Sequence, residues 1–219
     1  LRVLKKLGWK DNYTTKRLAR PISTLKFLPI LKNLKLNFVN RTLRYFIKKK
    51  YSRNISINPY KISDNFKIIN DSFKLRKIVK NNEFAEIIRD EKWLHWRLIE
   101  CPYKKDIYFF EYKNNFTIVH IFLIENIKKL NILYIYSTDK PQKNELFILI
   151  INWAINNDID LVWAVNTNTE FENIFSKILS KSINFASWSL DQKISETLQN
   201  GLLDPQGIDS DIDSSLYVE

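Results

Sequence analysis

IYFFEYKNNFTIVHIFLIENIKKLNILYIYS, residues 107–137, is the stretch that decides the fold. Ile107–Tyr112, Phe116–Ile124 and Leu130–Ser137 are rich in β-branched and aromatic residues. Only Lys113-Asn114-Asn115 and Asn126–Lys129 part them. Connections that short join antiparallel neighbours, so the stretch predicts a three-stranded meander. Downstream the period changes. Leu146, Leu149, Ile150, Trp153 and Ala154 recur at helical spacing within Asn144–Asn156. Asp160–Val165 is a short apolar run of the buried-strand type. Thr169–Ser180 has Phe171, Ile174, Phe175, Ile178 and Leu179 and reads as a second amphipathic helix, and Asn184–Leu190 as a last strand. The fold class is α/β, with the order β-β-β-α-β-α-β in this region.

Upstream, Leu1, Leu4 and Leu7 at helical spacing, with Gly8 in a C-cap position, read as the last turns of a helix. Tyr13–Ala19 reads as a strand that Pro21 ends. Because the chain opens in the middle of an element, it is expected to be a piece of something longer. Residues 22–51 form a basic amphipathic stretch, in which Pro29 breaks or starts a helix and Lys48, Lys49 and Lys50 suit a helix C-terminus. Residues 52–62, with Asn58-Pro59, read as a linker. From Asp71 the pattern is helical again, running to Trp93–Ile99 and closed by Cys101-Pro102. The segment from Asp191 onward is polar.

Composition narrows the function classes. Of 219 residues 45% are apolar and 14% aromatic, enough for a sizeable core. A single cysteine, Cys101, excludes an intramolecular disulfide and a thiolate metal cluster, and two histidines, His95 and His120, give no metal-site pattern. No metal is expected. No uncharged apolar run reaches the ~18–20 residues of a membrane span, so a cytoplasmic protein is expected. The net charge of +11 is local. No acidic residue lies between Asp11 and Asp64, a window holding thirteen Lys and Arg, which leaves 22 basic against 24 acidic residues elsewhere.

Two motifs accompany this element order. Lys6-Leu7-Gly8-Trp9 is a helix-to-strand junction, and Leu94-x-Trp96-Arg97 precedes Pro102 and Tyr108. Together with three antiparallel strands, a helix, a strand, a helix and a strand, they resemble the GNAT superfamily of CoA-dependent N-acetyltransferases. The first motif is similar to that family's Lys-Leu-Gly-Phe junction. The second resembles a pattern of two-unit bacterial GNAT-like proteins linked to surface-polysaccharide synthesis. The resemblance covers about residues 1–20 and 71–190. It implies a GNAT-like central mixed, mostly antiparallel sheet flanked by helices. It also implies four segments: residues 1–21, the C-terminal remnant of a preceding GNAT-like unit; 22–62, a basic amphipathic helical linker; 63–190, the GNAT-like domain; and 191–219, a polar acidic tail.

The resemblance further implies acetyl-CoA or another acyl-CoA as co-substrate. Its pyrophosphate would meet backbone N–H groups where the meander enters the first helix, with Tyr136, Ser137, Thr138, Lys140, Lys143 and Asn144 there and Asn166 and Asn168 beyond the next strand. Glycine normally lets the backbone approach such an anion. The loop Ser137–Asn144 has none, Pro141 lacks a donor and Asp139 adds negative charge. Phe175 stands where the family places a proton-donating tyrosine, and Phe has no proton to give. A general base would be Glu125 or His120, with Asp139 as a further carboxylate. His95, Trp96, Arg97 and Tyr108 are the candidates to meet an acceptor.

Two functions stand open. One is an acyltransferase moving an acetyl or other acyl group to an amine or hydroxyl, on a small molecule, sugar or glycan precursor. The other is a catalytically inactive GNAT-like unit with a structural or interaction role, packed on an N-terminal GNAT-like unit. The basic segment has three readings: a helix packed on the domain, a peripheral membrane contact through residues 22–53, or a nucleic-acid element. The last lacks a groove-reading motif.

Overall fold

A computed structural model describes residues 10–22, 37–51, 57–77, 90–100, 106–124, 126–137, 139–166 and 176–187. Seven strands form one sheet in the order β2-β3-β4-β5-β6-β1-β7. They are β1 (Lys10–Pro21), β2 (Tyr60–Lys61), β3 (Ile107–Tyr112), β4 (Asn115–Ile124), β5 (Ile127–Tyr136), β6 (Leu161–Asn166) and β7 (Ser176–Ser187). The described helices are α1 (Asn37–Tyr51), α2 (Phe66–Lys77), α3 (Glu91–His95), which runs on into a wider π turn at Trp96–Glu100, and α4 (Lys140–Asn156). Every strand pair is antiparallel except β5 with β6. The expected meander is present, and its turns are tighter than expected, with pairing resuming at Asn115 and at Ile127. Lys113 and Asn126 take the left-handed backbone (φ 55° and 63°) that such tight hairpins require. The one parallel pair needs a crossover, and α4 supplies it.

A bulge in β5 decides which side chains face which helix layer. Ile118 pairs with Tyr134 but Val119 with Ile132, so Leu133 is an extra residue and reverses the alternation. Leu130, Ile132 and Ile135 face α4, whereas Leu133, Tyr134 and Tyr136 face the other side. On the first side α4 buries Leu146, Phe147, Ile150, Ile151 and Ala154 against Phe110, Val119, Val162 and Ala164, and Ile47 and Tyr51 of α1 join that core. On the second, Ile69 and Phe73 of α2, Leu94 of α3 and Leu98 of the π turn cover Phe109, Phe116 and Ile118. There the rings of Phe73 and Tyr134 lie 4.7 Å apart.

Asp160, 2% exposed, stands at the start of the parallel pair. Its carboxylate accepts from the Lys128 N–H at 2.9 Å and from Arg44 Nη2 at 3.4 Å. Its own N–H donates to Lys128 O and its carbonyl accepts from Ile22 N, both at 2.8 Å. Arg44 also pairs with the neighbouring Asp158. One residue thus joins the end of β1, the start of β5, the entry to β6 and helix α1. The basic segment, where the structure describes it, is therefore a helix packed on α4 with its arginine on a buried carboxylate.

Three expectations are corrected. Residues 176–180, read as the end of a helix, are strand. β7 starts well before the expected Asn184 because it pairs along β1, from Ala19↔Ser176 to Lys10↔Ser187, and ladder formation overrides the local helical spacing. Residues 169–175 lie outside the described residues. α4 begins at Lys140 rather than Asn144, since Asp139 caps it. Tyr60 and Lys61, read as linker, pair with Phe109 and Tyr108 as a short edge strand.

Asp160→Ala would strand the Arg44 guanidinium and the Lys128 N–H together. Urea unfolding of this variant should give a free energy lower by about 2–3 kcal/mol, the scale of a buried charged hydrogen-bonding group. Asp160→Asn, which keeps an acceptor, should lose about half of that.

Candidate functional site

The carboxyl ends of β5 and β6 are the place where an open sheet of this kind offers a crevice. Their parallel pairing runs from Lys129↔Leu161 to Ile132↔Ala164 and stops there. Both strands continue, β5 to Tyr136 and β6 to Asn166, where Asn166 pairs on its other side with Lys16 of β1. The two strands therefore fork. The extra residue Leu133 lies at the fork's first step. The α4 N-terminus follows directly from the β5 branch.

That N-terminus is occupied by the chain's own carboxylate. Asp139 has the extended backbone of an N-cap (φ −150°, ψ 164°). One of its oxygens accepts from the Gln142 N–H at 2.7 Å and the other from Gln142 Nε2 at 2.5 Å. Its carbonyl accepts from Lys143 N at 3.1 Å and from Ser137 Oγ at 2.7 Å. Gln142 Oε1 accepts from Asn115 Nδ2 at 2.6 Å. Tyr112 Oη and Lys113 Nζ donate to the two oxygens of Glu145, at 2.9 and 3.1 Å. The Glu145 carboxylate, with Tyr112, holds the Lys113 ammonium above its usual range. The tip of the β3–β4 hairpin is thus tied to the first turns of α4.

A pyrophosphate does not fit this helix end. Of the first three helical residues, Pro141 has no N–H and that of Gln142 is taken by Asp139. The cap also places a negative charge where the helix dipole would favour an incoming anion. The signal for this was in the sequence as a capping box, Asp139 followed by Gln142 three residues on, with Pro141 in the first turn.

The other expected residues are spread over the molecule. Tyr136 ends β5 half-buried, its ring 5.3 Å from that of Phe116. Lys143 and Asn144 are half-buried on α4, Lys140 is its first residue and Asn166 the last of β6. Thr138, Asn168, Glu125 and Phe175 lie outside the described residues. His120 is in the middle of β4, 1% exposed, opposite Asn131 and with its ring 5.0 Å from Phe122. It is part of the sheet's packed interior, on the side away from α4. His95 is exposed, 3.1 Å from Glu100 and edge-on to Phe66. Trp96 is half exposed, with the buried Arg97 guanidinium 5.8 Å from its ring. Tyr108 lies on the opposite side of the sheet, 6.4 Å from Trp153. His95, Trp96 and Arg97 are consecutive, the first two exposed and Arg97 buried, and Tyr108 is set apart from them. A cavity of about 360 Å³ lies beside the π turn, lined by Leu98 and Ile99 with Lys61 and Asp106, which pair at 3.2 Å. Among the described residues no group of three or more His, Cys, Asp and Glu comes together. No described helix is long and apolar enough to cross a membrane.

No protein-family model matches the sequence. No characterised protein matches it either. Solved structures do. A conserved protein of unknown function from Enterococcus faecalis, described as a probable N-acyltransferase, superposes with a TM-score of 0.51 at 9% identity, over 84% of this chain and 41% of that one. GCN5-related N-acetyltransferases from Anabaena variabilis and Kribbella flavida give TM-scores of 0.48 at 9% and 8% identity, over 84% of this chain and 42% and 40% of theirs. The chain spans about two fifths of the length of these proteins. At such identity the likeness is one of fold. The mixed, mostly antiparallel sheet between helix layers is the frame this chain shares with that probable N-acyltransferase.

Proposed function

We propose that this chain is a GNAT-like unit of an acyl-CoA-dependent acyltransferase, and that it serves as the supporting unit rather than the one that loads CoA. The observation that carries the reading is the Asp139 carboxylate seated on the α4 N-terminus, with Pro141 removing a further donor. The transfer itself, of an acetyl or other acyl group to an amine or hydroxyl on a sugar or glycan precursor, would belong to a second GNAT-like unit packed against this one. The segment read as the end of a preceding unit runs between β6 and β7 and completes this sheet. The buried setting of His120 also suits a supporting role, since a general base must reach its substrate.

One observation favours a second reading, in which this unit transfers the acyl group itself. The β5–β6 fork lies at the end of the sheet where α4 begins, and an acyl chain entering it would meet strand backbone rather than the capped helix end. Lys143, and Lys140 beside it in sequence, would then supply positive charge for the phosphates.

Calorimetric titration of acetyl-CoA into the 219-residue chain separates the two. The expected result is no saturable heat up to millimolar ligand. Micromolar binding that disappears in Lys140→Ala/Lys143→Ala would overturn the proposal and place the co-substrate in this unit. The cap makes its own prediction. Asp139→Ala should cost about 1 kcal/mol in urea unfolding, and Asp139→Asn only a few tenths, since Asn caps equally well.

A further inference from the structure

Helix α1 has two unlike sides. Inward, Ile47 and Tyr51 pack into the α4 core and Arg44 reaches Asp158 and Asp160. Outward, Tyr45 and Phe46 are 63% and 61% exposed, though both are large aromatics. Their rings lie 5.9 Å apart at 74°, edge to face. Arg41, Lys48, Lys49 and Lys50 are exposed around them. At about 3.6 residues per turn, Arg41, Tyr45, Lys48 and Lys49 form one stripe, with Phe46 and Lys50 beside it. The helix carries no acidic residue, and none occurs in sequence from 12 to 63. A water-facing helix usually mixes charge signs and seldom leaves neighbouring aromatic rings uncovered.

We infer that the outward side of α1 is a docking surface for an anionic lipid bilayer, an interaction separate from any acyl transfer. The helix lies flat on the domain through its inner side, so its outer side can lie parallel to a membrane plane. In that pose Tyr45 and Phe46 enter the head-group region, where aromatic rings are favoured, and the four cations meet lipid phosphates. Neither group suffices alone. Two rings bury too little apolar surface to hold the protein at a neutral bilayer, while four cations near an anionic surface each raise binding about fivefold. The edge-to-face pairing of the rings also leaves no open parallel platform for stacked bases, which favours lipid over single-stranded nucleic acid.

Co-sedimentation of the full chain with vesicles tests this. With phosphatidylcholine containing about 30% phosphatidylglycerol, the protein should pellet at low salt and be released as salt rises; with phosphatidylcholine alone it should stay in solution. Lys48→Gln/Lys49→Gln should lower the partition coefficient about 25-fold, and Tyr45→Ser/Phe46→Ser about tenfold. Because all four side chains are exposed, both variants should melt at the parent temperature, which separates lost docking from lost folding. Lys48→Arg/Lys49→Arg should bind as the parent does. Equal binding to neutral vesicles, no binding to anionic ones, or anionic binding untouched by either double variant would each overturn the inference. So would binding of duplex or single-stranded oligonucleotides that the same variants abolish while vesicle binding stays absent.

Discussion

Desolvating a carboxylate is costly, and this sheet depends on how that cost is met at Asp160. The residue sits at the entry to β6, where β1 ends and β5 starts; Ile22 donates to its carbonyl, and Lys128 both donates to its carboxylate and accepts from its N–H, three bonds in all. Arg44 brings a fourth, from a helix more than a hundred residues away in sequence. Removing any one segment would leave a buried charge or carbonyl short of partners. The arrangement therefore fixes the register of the parallel pair, and with it the level at which β5 and β6 part.

At the other end of the same two strands the physics runs the opposite way. There the sheet forks, and the helix that leaves it would ordinarily present unsatisfied N–H groups. In this chain those groups are satisfied from within. Asp139 caps the helix, Gln142 grips Asp139, and Asn115, Tyr112 and Lys113 brace the first turns from the β3–β4 hairpin. A helix end that in other proteins stays open to receive an anion is here built into the structure's own polar network. The fold and the local chemistry thus part company: the frame is shared with a probable N-acyltransferase, while the helix end at the fork is a structural joint.

The meander was legible because its turns are short and its strands dense in β-formers, features that local sequence determines. The body of α4 was legible from its apolar spacing. Its start was not, because Asp139, Pro141 and Gln142 are polar or turn-forming residues that suit an anion loop as well as a helix cap. β7 was hidden by Ile178 and Leu179, whose spacing suits a helix and which no nearby residue contradicts; only the distant β1 makes them strand. The anchoring of Arg44 on Asp160 has no local signature either. Of the site residues, His120 was a candidate general base, and the structure buries it in the middle of β4, where its apolar, alternating strand already signals packed interior. The separation of Tyr108 from Trp96 follows from the alternation of β3, which sends Tyr108 and Phe109 to opposite layers.

The position of β1 bears on how the molecule comes together. Lys10 is partnered by Ser187 and Pro21 by Leu161, so β1 must wait for two strands made much later. Until β6 and β7 emerge, both long edges of β1 remain available to other chains. Pairings this distant in sequence are closed late and slowly, whereas the meander between them can form from local contacts. The half of the sheet that contains the fork is therefore the half assembled last, and its completion requires strands from both ends of the described chain.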